Sequence, residues 1–145
     1  MKTLLRFLRL RPAERRLLLE ALLLLWLSRF GLWVLSLQAL QRSVARLARP
    51  RVALQERGSC PVERIIWAVR AVSRYVPKAT CLSEALAARI LLGRRGHASR
   101  LHIGVARDEA KEFRAHAWLE CQGAIVMGGS EAARYAPLVV LGDAG

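Results

Sequence analysis

Hydrophobic positions crowd the first half of the chain in every phase, whereas toward the end they alternate with polar ones. Residues 17–40 read LLLEALLLLWLSRFGLWVLSLQAL, interrupted only by Glu20 and Arg29. A bilayer core needs about twenty predominantly apolar residues. The uncharged run between those two charges is eight residues, so spanning is the weaker reading. A secretory signal fits poorly too, because no small-residue cleavage site follows and basic helix continues instead. Pro12, Ala13 and Glu14 mark a helix start with proline in the first turn. The pattern predicts two helices, roughly 12–27 and 30–48, with a break near Ser28 to Gly31. Their apolar faces are too broad for ordinary surface helices. They must pack on each other, on the rest of the domain, on a partner protein or on a membrane surface.

Residues 50–58 read as a charged linker. From Pro61, VERIIWAVRAVSRYV sets Ile65, Ile66, Val69, Val72 and Val76 at helical spacing until Pro77 stops it. A fourth helix begins around Thr80 and runs through CLSEALAARILLG to Gly93, in a basic stretch suited to a helix C-terminus. After Gly96 the period changes. RLHIGVAR and FRAHAWLEC have strand patterning, Gln122-Gly123 is a turn signal, and AIVMGG is the returning strand of a hairpin. Helices first and then three or more antiparallel strands predict an α+β fold. The chain divides into a Leu- and Arg-rich helical extension over 1–57 and a core over 58–145.

Composition narrows the function. At 145 residues there is room for one domain with a modest core. The net charge of +13 is carried almost wholly by Arg. Those Arg residues are scattered through helices, without the interleaved aromatic residues of a base-stacking platform, so the reading is no nucleic acid. An acidic peptide or protein, or a peripheral membrane contact, accounts for the charge equally well. Cys60, Cys81 and Cys121 are odd in number and lack CxxC spacing, which argues against a zinc ribbon or a disulfide-stapled fold. Reduced thiols in the cytoplasm fit best, and no pair of histidines sits at metal-ligand spacing.

Two residues stand out for chemistry. Cys81 falls in the first turn of the fourth helix, where free N–H groups and the helix dipole favour a thiolate. His116 lies in a strand between Ala115 and Ala117, which leave room around an imidazole. Alone, each is as easily structural. His97 and His102 are weaker candidates.

Taken together, a cysteine opening a helix, then a strand, then a strand with histidine is the chain order of papain-like folds in their transglutaminase arrangement. CLSEALAARILLGRRGHASRLHIGV and FRAHAWLECQGAIVMGG resemble the transglutaminase-like leader proteases of lasso-peptide clusters, over about residues 60–140. The Leu- and Arg-rich opening also looks like the N-terminal helices of stand-alone members. The resemblance implies a papain/transglutaminase-like core with Cys81 as nucleophile and His116 as base, cutting a ribosomally made precursor between leader and core. It implies three partners: the lasso precursor peptide, a separate small leader-recognition protein, and an asparagine-synthetase-like cyclase. No cofactor would be bound directly, and ATP would enter through the cyclase. Many family members place an Asp about twelve residues beyond the histidine. That position here is Gly128. Glu120 shares the strand face of His116 but lies roughly 13 Å along it. Glu120, Glu131, Asp143 or a backbone carbonyl could orient the ring, or the pair could work as a dyad. Trp118 either walls the site or packs beneath it. Two alternatives stand beside the protease: a non-catalytic transglutaminase-like scaffold, and a membrane-associated helical protein that binds the other maturation proteins.

Overall fold

The computed structural model describes residues 2–52, 60–107, 109–132 and 135–142. Among the described residues, five helices precede the sheet: α1 (Lys2–Leu8), α2 (Pro12–Val34), α3 (Leu37–Leu47), α4 (Val62–Ser73) and α5 (Cys81–Arg94). Strands β1 (Ser99–Arg107), β2 (Phe113–Cys121), β3 (Ala124–Met127) and β4 (Ala136–Gly142) follow, with the short α6 (Gly129–Ala132) between the last two. The sheet is antiparallel with strand order β3-β2-β1-β4. The fold is thus a mixed α+β one, with N-terminal helices followed by an antiparallel sheet.

Helix α2 runs on past the expected break near Ser28 to Gly31. Gly31 is buried, and a β-carbon there would meet the Leu40 side chain at 3.2 Å. It is therefore a packing contact rather than a stop. The chain turns instead at Leu35, which is extended, and Ser36, whose hydroxyl caps α3 by accepting from Ala39 N–H.

One face of α2, carrying Leu17, Leu18, Ala21, Leu24 and Leu25, joins Ile65 and Val69 of α4 and Leu86, Leu91 and Leu92 of α5 in a single core. Each such buried Leu or Ile contributes about 1.5–3 kcal/mol. The sheet adds Leu101, Ala117 and Leu119 from the α5 side. The two charges in the apolar text have internal partners. Glu20 bonds Arg94 and Arg95, both at 2.8 Å, and Arg29 donates to the Pro77 carbonyl at 3.1 Å. The expected boundary between residues 57 and 58, with most of the linker, lies outside the described residues.

The hairpin turn is at Gln122-Gly123, as its residues suggest. Both have positive φ, 53° and 79°. Strand β4 is an addition to the expected strands. It sits at the sheet edge, where Pro137 costs no ladder hydrogen bond on the open side.

Candidate functional site

Thr80 caps α5 in extended geometry. Its Oγ1 accepts from Ser83 N–H at 3.3 Å, and Ser83 Oγ accepts from Thr80 N–H at 2.9 Å. This reciprocal pair fixes the helix start, so that Cys81 is its first residue. Cys81 is half-buried against the core. Its N–H and that of Leu82 have no acceptor within the helix. Burial pushes Cys60 above its ordinary pKa, although Arg95 and Arg64 oppose it, and burial also raises Cys121, helped by Glu63. Cys121 Sγ is tied to the Ala98 carbonyl at 3.3 Å, and the Cys60 carbonyl engages His97 Nε2 at 2.8 Å. Cys60, Cys121 and His97 therefore act as structural contacts.

On β2 the alternation sorts the side chains cleanly. Ala117 and Leu119 face the core. His116, Trp118 and Glu120 take the other face, opposite Gly104, His102 and Arg100 of β1. Trp118 is buried there outside the main core, stacked on His102 at 5.4 Å with planes 2° apart, and on His116 at 6.3 Å. Gly104 makes this possible, since a β-carbon would come within 2.9 Å of the Trp118 ring. Trp118 thus packs beneath the His116 ring. Tyr135 approaches that ring too, at 5.1 Å between centroids.

The His116 ring is anchored by a backbone group. Its Nε2 is 2.8 Å from the carbonyl oxygen of Gly128, 12 residues on. With Nε2–H donating to that carbonyl, the neutral ring keeps its lone pair on Nδ1. Gly128 has φ 75°, and a β-carbon would lie 2.6 Å from the Ala117 carbonyl. No acidic residue fits at that position without moving the backbone; the main chain supplies the acceptor instead. Glu120 is engaged elsewhere, with Oε2 3.1 Å from His102 Nε2. The side chain of Glu131, and Asp143 as a whole, lie outside the described residues.

Cys81 opens α5, and His116 lies on β2 opposite Gly104 of β1. From Cys81 to Arg94 the helix rises about 20 Å, while β1 climbs about 17 Å from Ser99 back to Gly104, the partner of His116. Among the described residues, Cys81 Sγ makes no hydrogen bond to the ring, which leaves β2 on the face turned away from the core. The group near His116 that sequence reasoning passed over is Tyr135, in an unpatterned stretch; His102, a weaker candidate by sequence, stacks on Trp118 through strand register. No cluster of three metal-ligating side chains occurs among the described residues.

No curated protein and no solved structure shows significant similarity to the chain. Residues 24–140, which include the second half of α2 together with the helix of Cys81 and the strand of His116, match the Transglutaminase-like superfamily. A domain of this kind is compatible with cysteine peptidase or transferase chemistry. By that match over most of its length, the chain belongs to the transglutaminase-like superfamily.

Proposed function

We propose that this protein is a cysteine peptidase that removes the leader from a ribosomally made lasso-peptide precursor, with Cys81 as nucleophile and His116 as general base. The observation that carries the reading is the His116–Gly128 hydrogen bond. It supplies from the backbone what an acidic side chain supplies elsewhere: a fixed tautomer with Nδ1 as proton acceptor. Family membership and the position of Cys81 at a capped helix start support the same roles.

The chemistry is acyl transfer through a thioester. The step requires the His116 ring, which leaves β2 on the face turned away from the core, to turn toward the first turn of α5 and come within hydrogen-bond reach of Cys81 Sγ. Nδ1 takes the Cys81 thiol proton, and the thiolate attacks the carbonyl carbon at the leader–core junction. The backbone N–H of Cys81 is placed to donate to the oxyanion that forms. As the C–N bond breaks, His116 returns the proton to the departing core amine. Water, deprotonated by the same ring, then hydrolyses the leader thioester and regenerates the thiol. The core leaves with a free amine, ready for ring closure by an ATP-using, asparagine-synthetase-like cyclase. A separate recognition protein would hold the leader.

The decisive experiment is mass spectrometry of the precursor peptide after incubation with the recognition protein and either wild type or Cys81→Ala, in reactions with and without cyclase and ATP. A leader fragment seen only with wild type is the expected result. Cleavage that survives Cys81→Ala would remove this residue as nucleophile, and no cleavage in any tube would favour a scaffold.

A further inference from the structure

Helix α2 carries two apolar stripes. One is the core face already described. The other runs through Leu19, Leu23, Trp26, Phe30 and Trp33, at steps of three and four residues, and it faces solvent: Phe30 is 61% exposed and Trp33 85%. A helix apolar all round is ordinarily covered all round, by protein or by lipid. Helix α1 extends the surface with Leu4, Leu5 and Leu8, each more than half exposed. Leu4 and Leu19 line the same apolar groove of about 1300 Å³ between α1, α2 and α4, so the two surfaces are continuous.

Charge identifies what covers them. The described residues of α1–α3 contain two acids, Glu14 and Glu20, and both are used internally, by Arg64 and by Arg94 with Arg95. Arg6, Arg9, Arg15 and Arg16, beside the stripe, form no ion pair among the described residues. A second copy would bring like charges face to face, on a chain of net charge +13. A neutral apolar partner would leave the arginines unanswered. An anionic lipid surface meets both features, with aromatic side chains at headgroup depth and Arg on phosphate. Helix α2 is long and apolar enough to cross a bilayer by composition, but its inner face is committed to α4 and α5 and Glu20 is locked to two arginines. It can only lie in the interface.

We infer that the protein docks peripherally on an anionic membrane through the outer face of α1 and α2. The test is flotation of the full chain with vesicles of phosphatidylglycerol and phosphatidylcholine, compared with phosphatidylcholine alone. The expected result is binding to the anionic vesicles, release by molar salt, and weakening of about tenfold or more in the double variant Phe30→Ser/Trp33→Ser. Both side chains are exposed, so the variant should keep the wild-type melting curve. Absence from anionic vesicles, equal flotation of the double variant, or a stable oligomer that the double variant dissolves would each overturn the proposal. Equal binding to neutral vesicles would overturn the role of the arginines.

Discussion

Between α2 and α5, Glu20 is held by Arg94 and Arg95, each at 2.8 Å; on the sheet, His116 is held by the carbonyl oxygen of Gly128, also at 2.8 Å. The first cluster joins distant helices through charge. The second orients a single ring through the main chain, and its acceptor cannot titrate. A charge cluster makes the helical layer dependent on pH and on each of its members. A carbonyl acceptor fixes a tautomer without adding charge beside the ring. The difference teaches how a transglutaminase-like site can lack an acid at this position: the acceptor is built into the turn after β3.

The largest effect expected is on activity. His116→Ala should lower the cleavage rate by roughly 10³–10⁴-fold if the ring is the base, with little change in stability, because the ring is only partly buried. Precursor turnover and urea melts on the same preparation check both halves. A loss under tenfold would point to another base. Glu20→Ala should do the reverse. It leaves two nearly buried guanidiniums without their carboxylate, at a cost of about 3 kcal/mol, read as a lower urea midpoint. Activity per folded molecule should be unchanged.

The pH dependence of that stability has a definite sign. Burial pushes the Glu20 carboxyl up, but the hydrogen bonds and charges of Arg95 and Arg94 outweigh it and hold the group below the ordinary value of 4.5. Its contribution is therefore fully present above pH 4.5 and lost as the pH falls through the depressed folded value. Urea melts of wild type should weaken below pH 4.5. Those of Glu20→Gln should weaken less, and parallel curves would remove Glu20 as the cause.

Gly128→Asp sharpens the comparison, because it puts a carboxylate where the family resemblance leads one to expect an acid. The positive φ and the 2.6 Å approach to the Ala117 carbonyl make the substitution strained, at about 1–3 kcal/mol. It should lower both stability and turnover. A gain in turnover would show that the backbone can yield and that the carbonyl is a poor substitute.

Much of this was legible in the residues, for identifiable reasons. Period-two patterning places β2 at Phe113–Cys121, and the turn chemistry of Gln122-Gly123 places the hairpin, because both are local. Cys81 at a helix start follows from Thr80 and the apolar run after it. What failed was non-local. Gly31 reads as a break until Leu40 is known to pack on it. Glu20 reads as an interruption of apolar text until Arg94 and Arg95 arrive from more than seventy residues away. The anchor of His116 is a main-chain atom, so no residue type announces it. Even the strand count of Glu120 from His116, sound by distance, could not say that Glu120 would turn to His102 instead.

The smallest effect expected is at Glu84, which contrasts with Glu20 within the helical layer. Both carboxylates are desolvated, but Glu84 has only the Ser73 hydroxyl and the charge of Arg70 to offset burial, and its pKa is raised above 4.5. A raised acid opposes folding once it is ionised. Glu84→Gln should therefore stabilise the protein slightly at pH 7, and the gain should vanish as the pH falls below 4.5, where the folded and unfolded carboxyls are both protonated. Urea midpoints at the two pH values measure it. A destabilised variant at pH 7 would mean that the Ser73 and Arg70 interactions outweigh burial, so that Glu84 belongs with Glu20 as a group whose partners have won.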